Sequence, residues 1–434
     1  MSLLSLLERE PYAGYAYGYP HKTAYRPFEA PRALSAVWAG AEDRRRVTLY
    51  LHVPFCEMRC GFCNLFTTAH PGDDLQERYV EAVERQARVF AEQAFGRDLR
   101  FDAVVLGGGT PTFLRADLLA RLLEVARRFA PDAPLAVETS PKTATRDKLA
   151  MLRGAGVTRI SIGVQSFSDH EARAAGRPQR SIEVDRALAE IRALDPAILN
   201  VDLIYGIDGQ TAESLAKSLD AALEWRPEEI YLYPLYVRPL TGLEKRSLPV
   251  VDRRRSLHRV ARTRLRARGY EQISMRLFRR STVRGASEIR CQEDATVGLG
   301  CGARSYTRSL HYSTEWAVGA RSVREILGAY CRSTDQDFAH ARYGIEVDLD
   351  EQRRRYVIKS VLRRDGLDLA AYREQFGTEA RADLPELRAL EEAGLLSGID
   401  VLVPTELALE LADAIGPYLY SAAIRARMAE FDLR

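Results

Sequence analysis

From residue 47 to residue 269, apolar runs of strand length alternate with amphipathic stretches. The runs VTLYLHV (47–53), FDAVVLGG (101–108), PLAVETS (134–140), RISIGVQ (159–165), ILNVDLIYG (198–206) and EIYLYPLY (229–236) are nearly continuous in Val, Ile, Leu and Tyr. That is the pattern of parallel strands buried on both faces. Between them, LQERYVEAVERQARVFAEQ (75–93), ADLLARLLEVARRF (116–129), RDKLAMLRGAG (146–156), EVDRALAEIRAL (183–194) and ESLAKSLDAALEW (213–225) repeat apolar residues at helical spacing. With a further helix at 252–269, these make six β–α units. Right-handed crossovers turn such a run into a doubly wound sheet or a barrel, whole or partial. In either, ligands gather beyond the carboxyl ends of the strands.

The pattern changes after Tyr236. VRPLTGLEKRSLPV (237–250) is a Pro- and Gly-punctuated connector, residues 270–320 are mixed, and a helical pattern resumes near 346. A short apolar strand interrupts the last part, so a winged arrangement is one form this region takes. The expected organisation is an N-terminal segment over 1–40 packing on the barrel, and a barrel over 41–240. A barrel extension and connector over 241–345 and a C-terminal helical domain over 346–434 complete it. The expected fold class is α/β, a partial (β/α)6 TIM-like barrel with a smaller, mainly helical domain.

Composition narrows the function classes. The chain has 434 residues, 46% apolar and 28% charged, with a net charge of only +3. Such a balance gives no global nucleic-acid signature. The arginine runs at 44–46, 253–255 and 353–355 read as solvated helix faces. No uncharged apolar run reaches spanning length, and no basic leader precedes an apolar stretch, so neither a membrane span nor a signal peptide is expected. Six cysteines in this length are too sparse for a disulfide scaffold, which favours a reducing cytoplasm.

Three of those cysteines, Cys56, Cys60 and Cys63, crowd into CEMRCGFC. The spacing wraps one metal centre. A structural zinc site takes four protein ligands, and the nearby histidines, His52 and His70, are weak fourth candidates. An iron–sulfur cluster normally takes four cysteines. Three therefore leave one iron open to a small molecule. The other polar groups of the barrel fall at the same end of their strands. GGGTPT (107–112) follows the second strand, Glu138 ends the third, Gln165 ends the fourth and Asp202 lies in the fifth. Glycines at such a turn let backbone approach a ligand closely, or simply make the turn tight. Glu138 and Gln165 are ligand contacts or satisfied rim groups. Arg177 carries the planar fork that suits a carboxylate, and it pairs with Asp202 if no ligand is bound. Cys291, Cys301 and Cys331 are candidates for a second cluster or a hydrogen-atom relay, or are small buried apolar residues. YGYPHKTAYRPF (17–28) covers the barrel mouth or packs on its wall.

CEMRCGFC, with Phe62 before the third cysteine, resembles the CxxxCxxC loop of radical S-adenosylmethionine (SAM) enzymes. YLHVPFC, GGGTPT, VETSP, GVQSF, AAGRPQ and NVDLIYG occur in the order seen in the oxygen-independent coproporphyrinogen III oxidase-like subgroup. The resemblance implies a [4Fe-4S] cluster held by Cys56, Cys60 and Cys63, and SAM on the fourth iron. One-electron reduction would cleave SAM to a 5′-deoxyadenosyl radical that abstracts hydrogen from a substrate. Gly108, Gly109, Thr110 and Glu138 would orient SAM, and Tyr50 and Phe62 would touch it. Gln165, Arg177 and Asp202 would bind its nucleoside or a second SAM molecule. A flavodoxin-type electron donor or reductase is implied as a partner, beside a small-molecule or peptide substrate.

The chain departs from the subgroup's best-known branches. The oxidase carries a further cysteine two places after the third, where this chain has Leu65. The haem chaperones carry a His-Asn and Tyr-Trp signature where this chain has SEIRCQED (287–294). A distinct branch is expected. Hydrogen abstraction is the leading reading, with two-SAM methyl transfer and a haem-handling binding protein as alternatives.

Overall fold

The computed structural model describes residues 2–16, 18–40, 47–93, 99–246, 252–283 and 295–434. Cys291, the 287–294 segment, the arginine run at 44–46 and Tyr17 lie outside the described residues.

Among the described residues, the centre of the fold is a sheet of thirteen strands. In chain order they are β1 (Arg26–Ala33), β2 (Val47–Val53), β3 (Phe101–Gly108), β4 (Leu135–Thr139), β5 (Val157–Gln165), β6 (Ile198–Tyr205) and β7 (Glu229–Pro234). Then come β8 (Tyr270–Gln272), β9 (Leu277–Arg280), β10 (Ala295–Leu299), β11 (Arg304–Tyr306), β12 (Leu310–Ser313) and β13 (His340–Glu346). The spatial order is β1-β13-β12-β11-β10-β2-β3-β4-β5-β6-β7-β9-β8. Strands β2 to β7 pair in parallel in sequence order. They carry the helices Asp73–Glu92, Ala116–Phe129, Arg146–Gly154, Ser181–Leu194, Ala212–Glu224 and Arg254–Ala267. The expected partial barrel is thus present, and its first strand is buried on both faces: only the middle residue of VTLYLHV escapes full burial. Local signals set the helices. Helix Ala116–Phe129 starts with Asp117 and ends with Arg127 and Arg128, each matched to the dipole at its end. Helix Ala212–Glu224 begins with a reciprocal capping box between Thr211 and Ser214.

The six-unit reading accounts for only the middle of the sheet. Strand β10 pairs in parallel with β2, and β11, β12, β13 and β1 continue antiparallel from it. On the other side β9 and β8 add an antiparallel hairpin to β7. These strands are short and mix apolar with polar residues, so no period marks them. Strand β1 is an edge, where its prolines Pro27 and Pro31 interrupt no inner ladder.

The C-terminal part is helical, with a small antiparallel wing formed by Leu367–Asp368, Val401–Pro404 and Leu396–Ser397. Charged contacts fasten it to the barrel. Glu410 accepts from Arg255 and Arg259 of the sixth barrel helix at 2.7–2.9 Å. Arg276 meets Asp413 at 2.5 Å with both side chains buried. The N-terminal segment is fastened to the same domain: the Tyr19 hydroxyl donates to Glu351, which also accepts from Ser421 at 2.5 Å. Among the described residues, no helix is long and apolar enough to cross a membrane.

Candidate active site

Strand β2 delivers the cysteine loop. After Val53 the chain forms a short parallel pairing of Phe55–Cys56 with Thr68–Ala69, which closes the base of the loop. Within it the Cys63 N–H donates to the Cys60 carbonyl at 3.1 Å, a tight turn that brings the second and third thiols together. Gly61 ties the loop to two distant segments: its N–H donates to the Gly176 carbonyl at 3.1 Å, and its carbonyl accepts from the Leu243 N–H at 2.8 Å. The loop is therefore shaped by backbone contacts from three parts of the chain.

The GGGTPT turn lies directly against it. The Gly109 N–H donates to the Val53 carbonyl at 2.7 Å, and the Thr110 N–H to the Phe55 carbonyl at 2.8 Å. A Cβ on Gly109 would stand 2.6 Å from the Phe55 carbonyl oxygen and 2.9 Å from Cys56 Sγ, so only glycine fits. Gly108 has φ +115°, in the region that favours glycine, and its N–H donates to the Glu138 carboxylate at 3.0 Å. The Thr110 hydroxyl points at Cys56 Sγ, 3.6 Å away.

Cys60 is buried, while Cys56 and Cys63 are half-buried. Burial pushes the Cys56 thiol up to about 12, against the Thr110 hydrogen bond that lowers it. Burial and the neighbouring Cys60 raise Cys63 as well. A dry pocket of three thiols favours thiolates only when a cation's charge is added, as a bound iron cluster supplies. Among the described residues, no three His, Cys, Asp or Glu side chains gather around a single-ion position. Thiols that each bond a different iron of a cube need no such convergence. His52 is committed elsewhere, to the Tyr50 hydroxyl at 3.0 Å and the Phe66 carbonyl at 3.3 Å. The donor set, the glycine cradle and the Thr110 hydroxyl thus fit a three-cysteine cluster.

A cavity of about 890 Å³ opens above the loop. Tyr50, Phe62, Cys63, Gly108, Glu138, Gln165 and Asp202 line it. Five strands and one loop, far apart in sequence, bring these residues to one mouth. Burial pushes the Glu138 carboxyl up to about 7, helped by the nearby Asp202 charge. Asp202 rises to about 6, again chiefly by burial, against the Asn200 amide that donates to it at 2.8 Å. Gln165 sits at φ +68° beside a register shift in β5. A non-glycine residue in that region costs about 1 kcal/mol or more, and such strain concentrates at ligand sites. Phe62 packs on the small apolar cluster of Ala175, Ile204, Ile207 and Leu235.

Arg177 and Asp202 are not joined as an ion pair. The Arg177 guanidinium donates to Cys60 Sγ at 3.1 Å, to the Gly163 carbonyl at 3.0 Å and to Gln179 at 2.9 Å. This contact between Arg177 and Cys60 had no signal in the sequence, because 117 residues separate the partners. Cys301 is fully buried, with the Thr314 hydroxyl 3.8 Å from its sulfur, and Cys331 is half-buried on the helix Ala320–Cys331. His70 stands in the return of the loop at φ +48°.

Residues 50–222 match the radical SAM superfamily, and residues 347–411 match the HemN C-terminal domain. Residues 50–222 thus carry a radical SAM domain. Its cofactors are accordingly a [4Fe-4S] cluster and SAM. Within that superfamily, the likeness is to a HemN-like subgroup. The oxygen-independent coproporphyrinogen III oxidase of Salmonella typhimurium is 27% identical over 99% of this chain and 97% of its own length. The heme chaperone HemW of Escherichia coli is 29% identical over 59% of this chain and 69% of its own. The solved structure of coproporphyrinogen III oxidase (HemN) from Escherichia coli superposes with a TM-score of 0.79 at 23% identity, covering 96% of this chain and 99% of that one. The last likeness speaks to the fold.

Proposed function

We propose that the protein is an enzyme that cleaves SAM reductively and uses the resulting radical to abstract hydrogen from a substrate held in the cavity above the cysteine loop. The observation that carries this reading is the meeting of Cys63, Gly108, Glu138, Gln165 and Asp202 in one cavity with the cysteine loop at its floor. When bound, the cluster supplies one electron and SAM supplies the carbon radical. The chain's own residues do the rest. Cys56, Cys60 and Cys63 ligate iron and leave one iron to SAM. Gly109 and Thr110 let the turn approach within contact of Cys56. Glu138 is fixed by the Gly108 N–H and holds the cationic end of SAM. Gln165 and Asp202 hold its nucleoside, with Tyr50 and Phe62 walling the site. Arg177 holds Cys60 in place rather than reaching a second SAM. The surrounding sheet and the N- and C-terminal segments exclude water, which limits quenching of a reactive carbon centre.

Anaerobic incubation of the reconstituted protein with SAM and dithionite should yield 5′-deoxyadenosine. A protein that only carries haem or a cluster would yield none. S-adenosylhomocysteine formed alongside would turn the reading to methyl transfer. Leu65, standing where the oxidase has its further cysteine, supports a substrate other than that enzyme's.

Glu138 gives SAM binding a pH dependence of definite sign. Its folded pKa of about 7 lies above the ordinary carboxylate value, so the charged form fills only as pH rises through 7. A cationic ligand binds the charged form. Apparent SAM affinity should therefore rise about tenfold between pH 6 and pH 8, because only a minor fraction of the protein is competent at the lower pH. Glu138→Gln should bind SAM weakly at both values with a flat profile. Equilibrium dialysis over this range checks it, and an unchanged slope in the variant would remove Glu138 from the SAM contacts.

A further inference from the structure

The cavity is electrically lopsided. Its only acidic lining residues among those described are Glu138 and Asp202, both at the strand ends on the floor. Five cations, Lys22, Arg238, Arg276, Arg304 and Arg425, line it as well. Lys22 comes from a single turn of 3-10 helix, Lys22–Ala24, in the N-terminal segment. That turn is held firmly: His21 caps it through the Thr23 N–H, Arg26 donates to the Thr23 and Tyr25 carbonyls at 2.8 Å, and Arg427 donates to the Ala24 carbonyl at 2.9 Å. The ammonium lies 3.7 Å over the Trp316 ring. The Arg238 guanidinium lies 4.2 Å over the Tyr236 ring.

Among the described residues, neither Lys22 nor Arg238 has a carboxylate within ion-pair distance. Burial above all holds the Lys22 ammonium well below its ordinary range, Arg304 and Arg238 oppose its charge further, and Cys63 favours it. Like charges gathered on a low-dielectric wall repel each other. Aromatic faces offset part of that cost. An anionic ligand would offset the rest, and Tyr25, Tyr306, Trp316 and Tyr343 form an apolar wall beside it. Aromatic rings in the lining beside Lys22 and Arg238, which have no carboxylate at ion-pair distance, suit a ligand with an aromatic or apolar body and an acid group.

We infer that Lys22 is a specificity-determining residue that, with Arg238, anchors an acid group of the substrate, a carboxylate or a phosphate, against the N-terminal turn. The apolar body of that substrate then extends along the Trp316 wall toward the SAM-binding floor. The inference rests on the radical SAM reading only for which end of the cavity takes SAM.

The test uses the full-length, cluster-reconstituted protein with SAM, and three probes of one shape: 2-naphthoate, 2-naphthyl phosphate and the neutral 2-naphthamide. Calorimetry should show at least one acid binding about tenfold or more tighter than the amide, as a charge-assisted contact requires. The tighter acid identifies the group. Lys22→Met and Arg238→Gln should each lose most of that preference, and Lys22→Arg should keep it, with iron content unchanged in all three. Equal binding of acid and amide by the parent protein, or a preference that survives both Lys22→Met and Arg238→Gln, overturns the inference. Formation of 5′-deoxyadenosine by the parent is measured separately. Its absence would defeat the proposed reaction while leaving the acid-anchor result standing on its own.

Discussion

Cys60→Ala protein should purify folded, yet without the brown absorbance of an iron–sulfur cluster, and should form no 5′-deoxyadenosine above a protein-free blank. The structure separates the two consequences. The contacts that shape the loop at positions 60, 61 and 63 are made by backbone groups, which alanine retains. Arg177 loses its bond to Cys60 Sγ but keeps the Gly163 carbonyl and Gln179. Removing one small buried side chain at such a site should lower stability by about 1 kcal/mol, a shift of roughly 1 °C in Tm for a chain of this length. Cluster assembly, by contrast, loses one of three ligands in a set with none to spare. Iron and sulfide analysis beside a thermal melt reads both. Full iron and sulfide in Cys60→Ala protein would strike this residue from the ligand set and the three-thiol site with it.

Asp413→Ala should be among the most destabilising single substitutions outside the core, by about 3–5 kcal/mol, because it strands a buried charge. Asp413 is fully buried and accepts from Arg276, whose side chain is only 2% exposed, and from the Tyr236 hydroxyl. Arg276 comes from the barrel side and Asp413 from the C-terminal helix Ala412–Tyr418, so the pair joins the two parts of the molecule. Arg276 and Tyr236 also line the cavity, and the Arg276 guanidinium lies 4.3 Å over the Tyr15 ring of the N-terminal segment. Loosening this contact should therefore reach the site as well as the fold. Replacing both charges together, as Arg276→Met with Asp413→Leu, should recover at least half of the lost stability, since a matched apolar pair leaves no orphaned charge. Urea unfolding of the two single variants and the double variant checks this. An Asp413→Ala protein as stable as the parent would mean that the pair does not fasten the domain.

The contrast between these two residues shows where the sequence is informative. Cys60 belongs to a local motif. Its partners Cys56 and Cys63 lie within eight residues, and the spacing alone limits what the three thiols can do. Asp413 carries no such mark: it sits in an ordinary helical stretch, and its partner lies 137 residues away. Gln165 falls between. Its place at a strand end was legible, while the left-handed backbone that aims it was not.

By itself the sequence determined the six central strands, their helices and the three-thiol loop, because two-sided burial and helical spacing write a period into the chain and metal ligation writes a spacing. Only the tertiary structure decided which residues meet across that frame. The flanking strands β8 to β13 and β1, the bond from Arg177 to Cys60, the Arg276–Asp413 pair and the cations around Lys22 all depend on pairing across long separations. Such pairing leaves no period in either partner, since it is set by where the backbone has already brought them.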